Sequence, residues 1–267
     1  MTTTLVWHEG GFLPTDTVAV GDHGLLLGDG VFDTLAVRDG HPQHLERHLR
    51  RLRAATARLG IAPLPDDAAI AEAIAALVAD QDLPRARVRI TITPGSGPSV
   101  RTRGTRPTAL VSITELAEAP TAVSLASVAW VRNERSPLAG LKSTSWSENA
   151  QILREVRARG FDEAVLCDTT GRLSECCAAN LFLVIDGVVV TPSLATGCLP
   201  GIIREVLLER GAAVEATLTG EDLRRCEAAF ITSSTNGVVG VERLDDRRLD
   251  PVAPAIDRAR TALDAVH

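Results

Sequence analysis

Two hydrophobic periods take turns along the whole chain, and that alternation limits the folds open to it more than any other feature. Val31–Arg38 (VFDTLAVR) alternates apolar residues as a strand and runs into Asp39-Gly40, a two-residue hairpin signal. The period then changes. Leu45, Leu49, Leu52, Thr56 and Leu59 fall on one face of a predicted helix over 44–59, which Gly60 stops. A second, alanine-rich helix is predicted over 66–81, opened by Asp66-Asp67, and strands over 87–93 and 109–114 enclose a loop rich in Gly, Pro and Arg at 94–107. The polar, proline-containing segment 115–121 (ELAEAPT) reads as a linker. Beyond it the pattern predicts a strand over 123–130, a helix over 147–159 and a strand over 163–167. A hairpin follows, with strands 180–185 and 188–191 around Asp186-Gly187. A helix opening near Gly201 and a strand–helix–strand run to Val241 complete the pattern. These elements predict an α/β protein of mixed α+β character with two domains, residues 1–115 and 123–267, joined by a linker at 116–122.

With 267 residues, 45% hydrophobic and 23% charged, the chain can bury a substantial core. The net charge of −6, from 28 basic and 34 acidic residues, argues against a nucleic-acid partner. No apolar run approaches the roughly 18–20 residues of a membrane span. Met1–Glu9 lacks the basic-then-apolar order of a secretory leader, so a cytoplasmic location is expected. Five cysteines, Cys176 and Cys177 adjacent, suit a reducing compartment better than a disulfide scaffold. The absence of CxxC and HExxH gives no reason to expect a metal.

Of the 28 basic residues 27 are arginine, and the one lysine is Lys142. Arginine supplies charge and solubility, but it cannot supply an amine that loses its proton near neutral pH and attacks a carbonyl. Three further features could hold a phosphate. Leu199-Pro200-Gly201-Ile202-Ile203-Arg204 sets Pro and Gly ahead of a helix whose amides and dipole favour an anion, although an ordinary helix start has the same look. Thr232-Ser233-Ser234-Thr235-Asn236-Gly237 follows an apolar run and reads equally as a ligand-binding strand end or a polar turn. Arg51 precedes Leu52 of the helical stripe and could reach inward at its edge, whereas most such arginines face water. Glu175 stands among small, mostly apolar residues before a strand, where a buried carboxylate would need a cationic partner. An amine, a phosphate cradle and a buried acid together match the needs of pyridoxal phosphate.

The segments that carry this chemistry are GDHGLLLGDGVFDTLAV (21–37), HLERHLRRL (44–52), GLKSTSWSEN (140–149), GRLSECCAANLFLV (171–184) and TGCLPGIIREVL (196–207). In this order and spacing they resemble the class IV aminotransferase-fold enzymes, the fold type IV pyridoxal phosphate family that includes branched-chain and D-amino-acid aminotransferases and aminodeoxychorismate lyase. The resemblance implies a two-domain fold like that of D-amino-acid aminotransferase, with the coenzyme bound by residues 123–267. It also implies a homodimer acting on a small amino substrate that carries a carboxylate. By the family pattern Lys142 forms the Schiff base and moves protons, and Glu175 pairs with the pyridine nitrogen. Arg51 binds the phosphate with the amides of Ile202 and Ile203 and the hydroxyl of Ser234, and Leu199 packs on one ring face. Ile203 stands where many relatives have threonine, and Trp146 and Ser147 occupy the neighbourhood where some aminotransferases carry a tyrosine. SECCAANLF and GDGVFDTLAV with Thr34 resemble the lyase in particular, in which a threonine at this position is associated with elimination. The expected reaction is conversion of 4-amino-4-deoxychorismate to 4-aminobenzoate and pyruvate, a step toward folate, with Lys142 and Thr34 as the catalytic residues. A class IV aminotransferase acting on D- or branched-chain amino acids is the alternative. The loop PGSGPSVRTRGTR departs from the lyase pattern, leaving Arg101, Arg103 and Arg106 as candidates for the substrate carboxylates.

Overall fold

The computed structural model describes residues 3–8, 11–15 and 17–264, and part of the amino-terminal segment read above for a leader lies outside them. The chain divides into two compact units, Met1–Ala117 with Leu141–Trp146, and Glu118–Gly140 with Ser147–His267.

The first unit contains β1 (Thr3–His8), β2 (Gly11–Pro14), α1 (His23–Leu27), β3 (Val31–Arg38), β4 (His41–Pro42), α2 (Leu45–Leu59), α3 (Asp67–Gln81), β5 (Arg85–Thr93) and β6 (Thr108–Glu115). Its six strands form one antiparallel sheet in the order β2-β1-β6-β5-β3-β4. Strand alternation decides what each face carries. Val31, Leu35, Val88, Ile90 and Val111 point to the side covered by α2 and α3, where they pack with Leu49, Leu52, Ile70 and Ile74. Phe32, Thr34, Arg87 and Arg89 belong to the opposite parity. The β3–β4 turn at Asp39-Gly40 has φ of 49° and 77°, the doubly positive backbone of a tight hairpin. Asp66 caps α3 by accepting from the Ala69 amide.

The second unit contains β7 (Ala122–Arg132), α4 (Ser147–Ala158), β8 (Glu163–Asp168), β9 (Leu173–Cys176), β10 (Asn180–Ile185), β11 (Val188–Pro192), α5 (Ile202–Glu209), β12 (Val214–Ala216), α6 (Gly220–Arg225), β13 (Ala228–Ser233), β14 (Gly237–Leu244), β15 (Arg247–Arg248) and α7 (Pro254–Asp264). The sheet order is β12-β11-β10-β13-β14-β7-β8-β9, with β15 added to β14. Three pairs are parallel, β11–β12, β14–β7 and β7–β8. β10 is buried on both faces. Leu181 and Leu183 join one apolar cluster, while Phe182 and Val184 join another with Leu207 and Ile256, which is why the strand reads as an unbroken apolar run. Phe182 stacks on Phe230 at 4.6 Å between ring centres. No helix among the described residues is long and apolar enough to cross a membrane.

Lys142, expected within the second domain, groups instead with the first unit. The Phe32 amide donates to the Lys142 carbonyl at 2.8 Å and the Thr144 amide to the Gly30 carbonyl at 2.9 Å. Residues 141–146 are thereby seated against the start of β3, where Val31 bridges Ser143.

Candidate active site

In the first unit the lysine segment lies against a backbone that admits no side chain. Gly28 has φ of +65°, and a Cβ there would come within 2.6 Å of Ser145 Oγ and 3.0 Å of Ser145 Cα. Thr144 and Ser145 both donate their hydroxyls to the Gly28 carbonyl, at 2.8 and 2.9 Å. The half-buried Lys142 stands with its Nζ 4.7 Å from the centre of the Phe32 ring. Phe32 and Thr34 are two residues apart on β3 and so share a face. Thr34 pairs in register with Arg89 of β5, whose guanidinium carbon is 3.7 Å from the centre of that same Phe32 ring. Burial, and then the charge of Arg87, lower the pKa of Arg89. No carboxylate forms an ion pair with Arg89 among the described residues.

Arg51 lies on α2 with its Nε and Nη2 donating to the two oxygens of Asp33, at 2.9 and 2.7 Å. His48 Nδ1 is 2.7 Å from the same carboxylate. Burial alone would raise the pKa of Asp33. The charge of Arg51 and the hydrogen bonds from His48 and Arg51 outweigh it and hold the carboxyl well below the usual range. Of the three loop arginines, Arg103 is engaged by Asp29 at 2.7 and 2.6 Å and reaches the Leu59 carbonyl, so it anchors the loop. Arg101 and Arg106 are exposed.

In the second unit Glu175 is buried on β9, and both of its oxygens are engaged. Arg132 Nε stands 3.1 Å from Oε1, and the Leu199 amide donates to Oε2 at 2.9 Å. Arg132 is steadied by donating to Asn149 Oδ1 at 3.2 Å, and Asn149 donates in turn to the Cys177 carbonyl at 2.5 Å. Glu163 completes the support by accepting from the Ala164, Cys177 and Ala178 amides at 3.0, 3.1 and 2.9 Å. The Leu199 carbonyl accepts from Asn180 Nδ2 at 2.8 Å, so Leu199 is held at both ends of its peptide.

α5 opens directly after this residue. Gly201 is its N-cap and no side chain caps the end, which leaves the first-turn amides of Ile202 and Ile203 for another acceptor. A Cβ on Gly201 would sit 1.8 Å from Asn180 Oδ1, so the close approach of the helix end to β10 requires glycine. Thr232, in register with Asn180, carries a buried hydroxyl with no hydrogen-bond partner among the described residues. Half-buried Ser234 follows in the β13–β14 turn. An uncapped helix end, a side-chain-free backbone and a buried orphan hydroxyl fit a phosphate, and the fixed Glu175 fits a protonated ring nitrogen.

Of the residues singled out from sequence, Thr34, Arg51 and Lys142 lie in the first unit, and Glu175, Leu199, Ile202, Ile203 and Ser234 in the second. Sequence reasoning missed Asp33, His48, Arg89, Arg132 and Asn149. Asp33 alone gave a readable sign, being an acid at the buried parity between Val31 and Leu35.

Residues 30–244 match the family model described as Amino-transferase class IV. A provisionally named branched-chain-amino-acid aminotransferase of Methanocaldococcus jannaschii is 32% identical over 243 residues, spanning 86% of this chain and 83% of the relative. An aminodeoxychorismate lyase of Vibrio harveyi is 29% identical over 254 residues, 89% of this chain and 90% of the relative. A fold IV transaminase of Curtobacterium pusillum superimposes with a TM-score of 0.88 at 29% identity, covering all of both chains. The matched residues include the lysine segment, the buried glutamate and the glycine-led helix, and the chain belongs to the class IV aminotransferases.

Proposed function

We propose that the chain is a pyridoxal 5'-phosphate-dependent lyase that converts 4-amino-4-deoxychorismate to 4-aminobenzoate and pyruvate, a step toward folate. The class IV family works with this coenzyme, whose protonated ring, when bound, draws electrons from the carbon bearing the substrate nitrogen. Lys142 supplies the amine that holds the coenzyme and takes the proton from that carbon. Glu175, kept in place by Arg132 and the Leu199 amide, accepts from the ring nitrogen and keeps its proton there. Arg51, the amides of Ile202 and Ile203 and the Ser234 hydroxyl hold the phosphate, and Leu199 covers one ring face. As the substrate's ether C–O bond breaks, the proton that Lys142 has taken passes to the leaving oxygen, oriented by the Thr34 hydroxyl; the enol departs and tautomerises to pyruvate, and the remaining ring becomes aromatic.

The observation that carries the lyase reading is the face shared by Phe32, Thr34 and Arg89. A partly desolvated guanidinium without a carboxylate partner, opposite a hydroxyl, suits a substrate with two carboxylates and an ether oxygen to protonate. A second reading, an aminotransferase for branched-chain or D-amino acids, draws support from the 32% identical relative and uses the same lysine and glutamate. The chain acts as a homodimer in this proposal, and the exposure of Val20, Leu25 and Leu26, close together in sequence, favours one, because exposed apolar side chains tend to mark contacts.

Purified protein assayed with 4-amino-4-deoxychorismate and with a panel of L- and D-amino acids separates the readings. Pyruvate release with no amino transfer is expected, and amino transfer without pyruvate release sinks the lyase. Borohydride should bleach a yellow holoenzyme and leave its label on Lys142. Lys142→Ala should abolish turnover with an unchanged circular dichroism spectrum.

A further inference from the structure

Asp33 is an expensive residue to keep where it stands. It lies on β3 between Val31 and Leu35, is 1% exposed, and faces the apolar side of the first unit, where an aliphatic residue would pack as its neighbours do. Four donors meet it. Arg51 Nε donates to Oδ2, while Arg51 Nη2, His48 Nδ1 and the Thr34 amide, the last three each at 2.7 Å, converge on Oδ1. His48 and Arg51 are three residues apart on α2, so one turn of helix presents both to a single strand residue. Two parallel bonds between a carboxylate and the Nε–Nη2 edge fix the plane of a guanidinium, which a single contact cannot do. The same carboxylate also holds the backbone of Thr34. It therefore sets the arginine and the threonine in one register.

We propose that Asp33 is a positioning residue that aims the Arg51 guanidinium at the coenzyme phosphate. The proposal rests on the reading of Arg51 as a phosphate anchor. It adds that the aim comes from Asp33, with His48 filling the carboxylate's remaining acceptor capacity. Asp33 touches neither coenzyme nor substrate in this scheme and acts only through Arg51.

Apoprotein titrated with pyridoxal 5'-phosphate and, separately, with pyridoxal, which lacks the phosphate, isolates this role, with binding read from tryptophan fluorescence. Asp33→Asn should weaken binding of the phosphorylated form by about tenfold or more, and leave pyridoxal within about twofold of wild type. Arg51→Ala should show the same selective loss. Adding Asp33→Asn to Arg51→Ala should change affinity by less than about twofold, because a residue acting through another has nothing left to aim. An unchanged preference for the phosphorylated form in Asp33→Asn overturns the proposal, and so does an equal loss from that substitution in both backgrounds. If Arg51→Ala itself keeps the full preference, the reading of Arg51 fails, and the proposal with it. Should Asp33→Asn not fold, Arg51→Lys serves instead. Lysine keeps the charge but cannot take the two parallel bonds, so wild-type preference in that variant overturns the proposal and a loss of about tenfold supports it.

Discussion

Asp33 in the first unit and Glu163 in the second are both carboxyls with little more than a twentieth of their surface exposed or less, yet their pKa values move in opposite directions. Burial pushes both upward. At Asp33 a guanidinium and an imidazole overcome that push, and the group stays ionised. At Glu163 burial prevails over the opposing hydrogen bonds, chiefly from the Ala164, Ala178 and Cys177 amides, and the proton is held more tightly than usual. The difference teaches that burial alone does not decide ionisation in this molecule. The charge of the partner decides it. The two acids also serve different ends, one orienting a cation and the other pinning the backbone that follows Glu175.

The largest expected effect comes from deleting the charged partner. Asp33→Ala leaves His48 and Arg51 without their acceptor in an apolar setting and should cost about 3–5 kcal/mol of stability. Glu163→Ala leaves three amides to find water and should cost about 1–3 kcal/mol. Urea unfolding at pH 7 measures both. Equal losses would erase the distinction between an ion-paired and an amide-bound acid.

That distinction was only half visible in the sequence. The alternation of Val31–Arg38 and the stripe on residues 44–59 gave β3 and α2 almost to the residue, because period is a local property. Lys142 stood out by composition and Gly201 by its place before a helix. The hidden part was pairing over distance. Asp33 meets His48 fifteen residues away, and Arg132 meets Glu175 across a gap that no spacing rule spans. The placement of 141–146 in the first unit was hidden for the same reason, since it depends on hydrogen bonds to Gly28, Gly30 and Phe32 more than a hundred residues earlier. Strands such as β1 (TTLVWH) and β9 (LSEC) also escaped notice because neither alternates cleanly, whereas the equally short β10 and β11 were marked by the Asp186-Gly187 turn between them.

Smaller effects follow from the isosteric variants, and pH gives them opposite signs. The depressed pKa of Asp33 means that its stabilisation is present above the ordinary aspartate value, about 3.9, and is lost as pH falls through the folded value. The stability gap between wild type and Asp33→Asn should therefore stay level from pH 5 to 8 and close only in acid. The raised pKa of Glu163 means that its contribution is complete below the ordinary glutamate value, about 4.3, and is lost as pH rises through the folded value. The gap between wild type and Glu163→Gln, about 1 kcal/mol in acid from one impaired hydrogen bond, should narrow as pH rises. Parallel slopes for the two pairs of proteins would mean that Glu163 is ionised in the folded chain after all.

The smallest effect tests whether Glu163 is felt by its neighbours. Burial, and then the nearby Glu163, push the Cys177 thiol up to about 12. Burial and then Glu175 push Cys198 up to about 11. A thiol near 12 is about one part in ten thousand thiolate at pH 8, so both should resist a disulfide reagent in the folded protein. Cys167, half-buried and raised by burial and then by Asp168, should react first. Glu163→Gln removes the second cause acting on Cys177 but not the first. Native-state alkylation of Cys177, read by mass spectrometry, should therefore quicken by less than about tenfold and leave Cys198 unchanged. An unchanged rate at Cys177 would mean that the Glu163 proton is already in place at pH 8, which sharpens the contrast with Asp33; equal acceleration at both thiols would point to a general loosening of the second unit, with no electrostatic link.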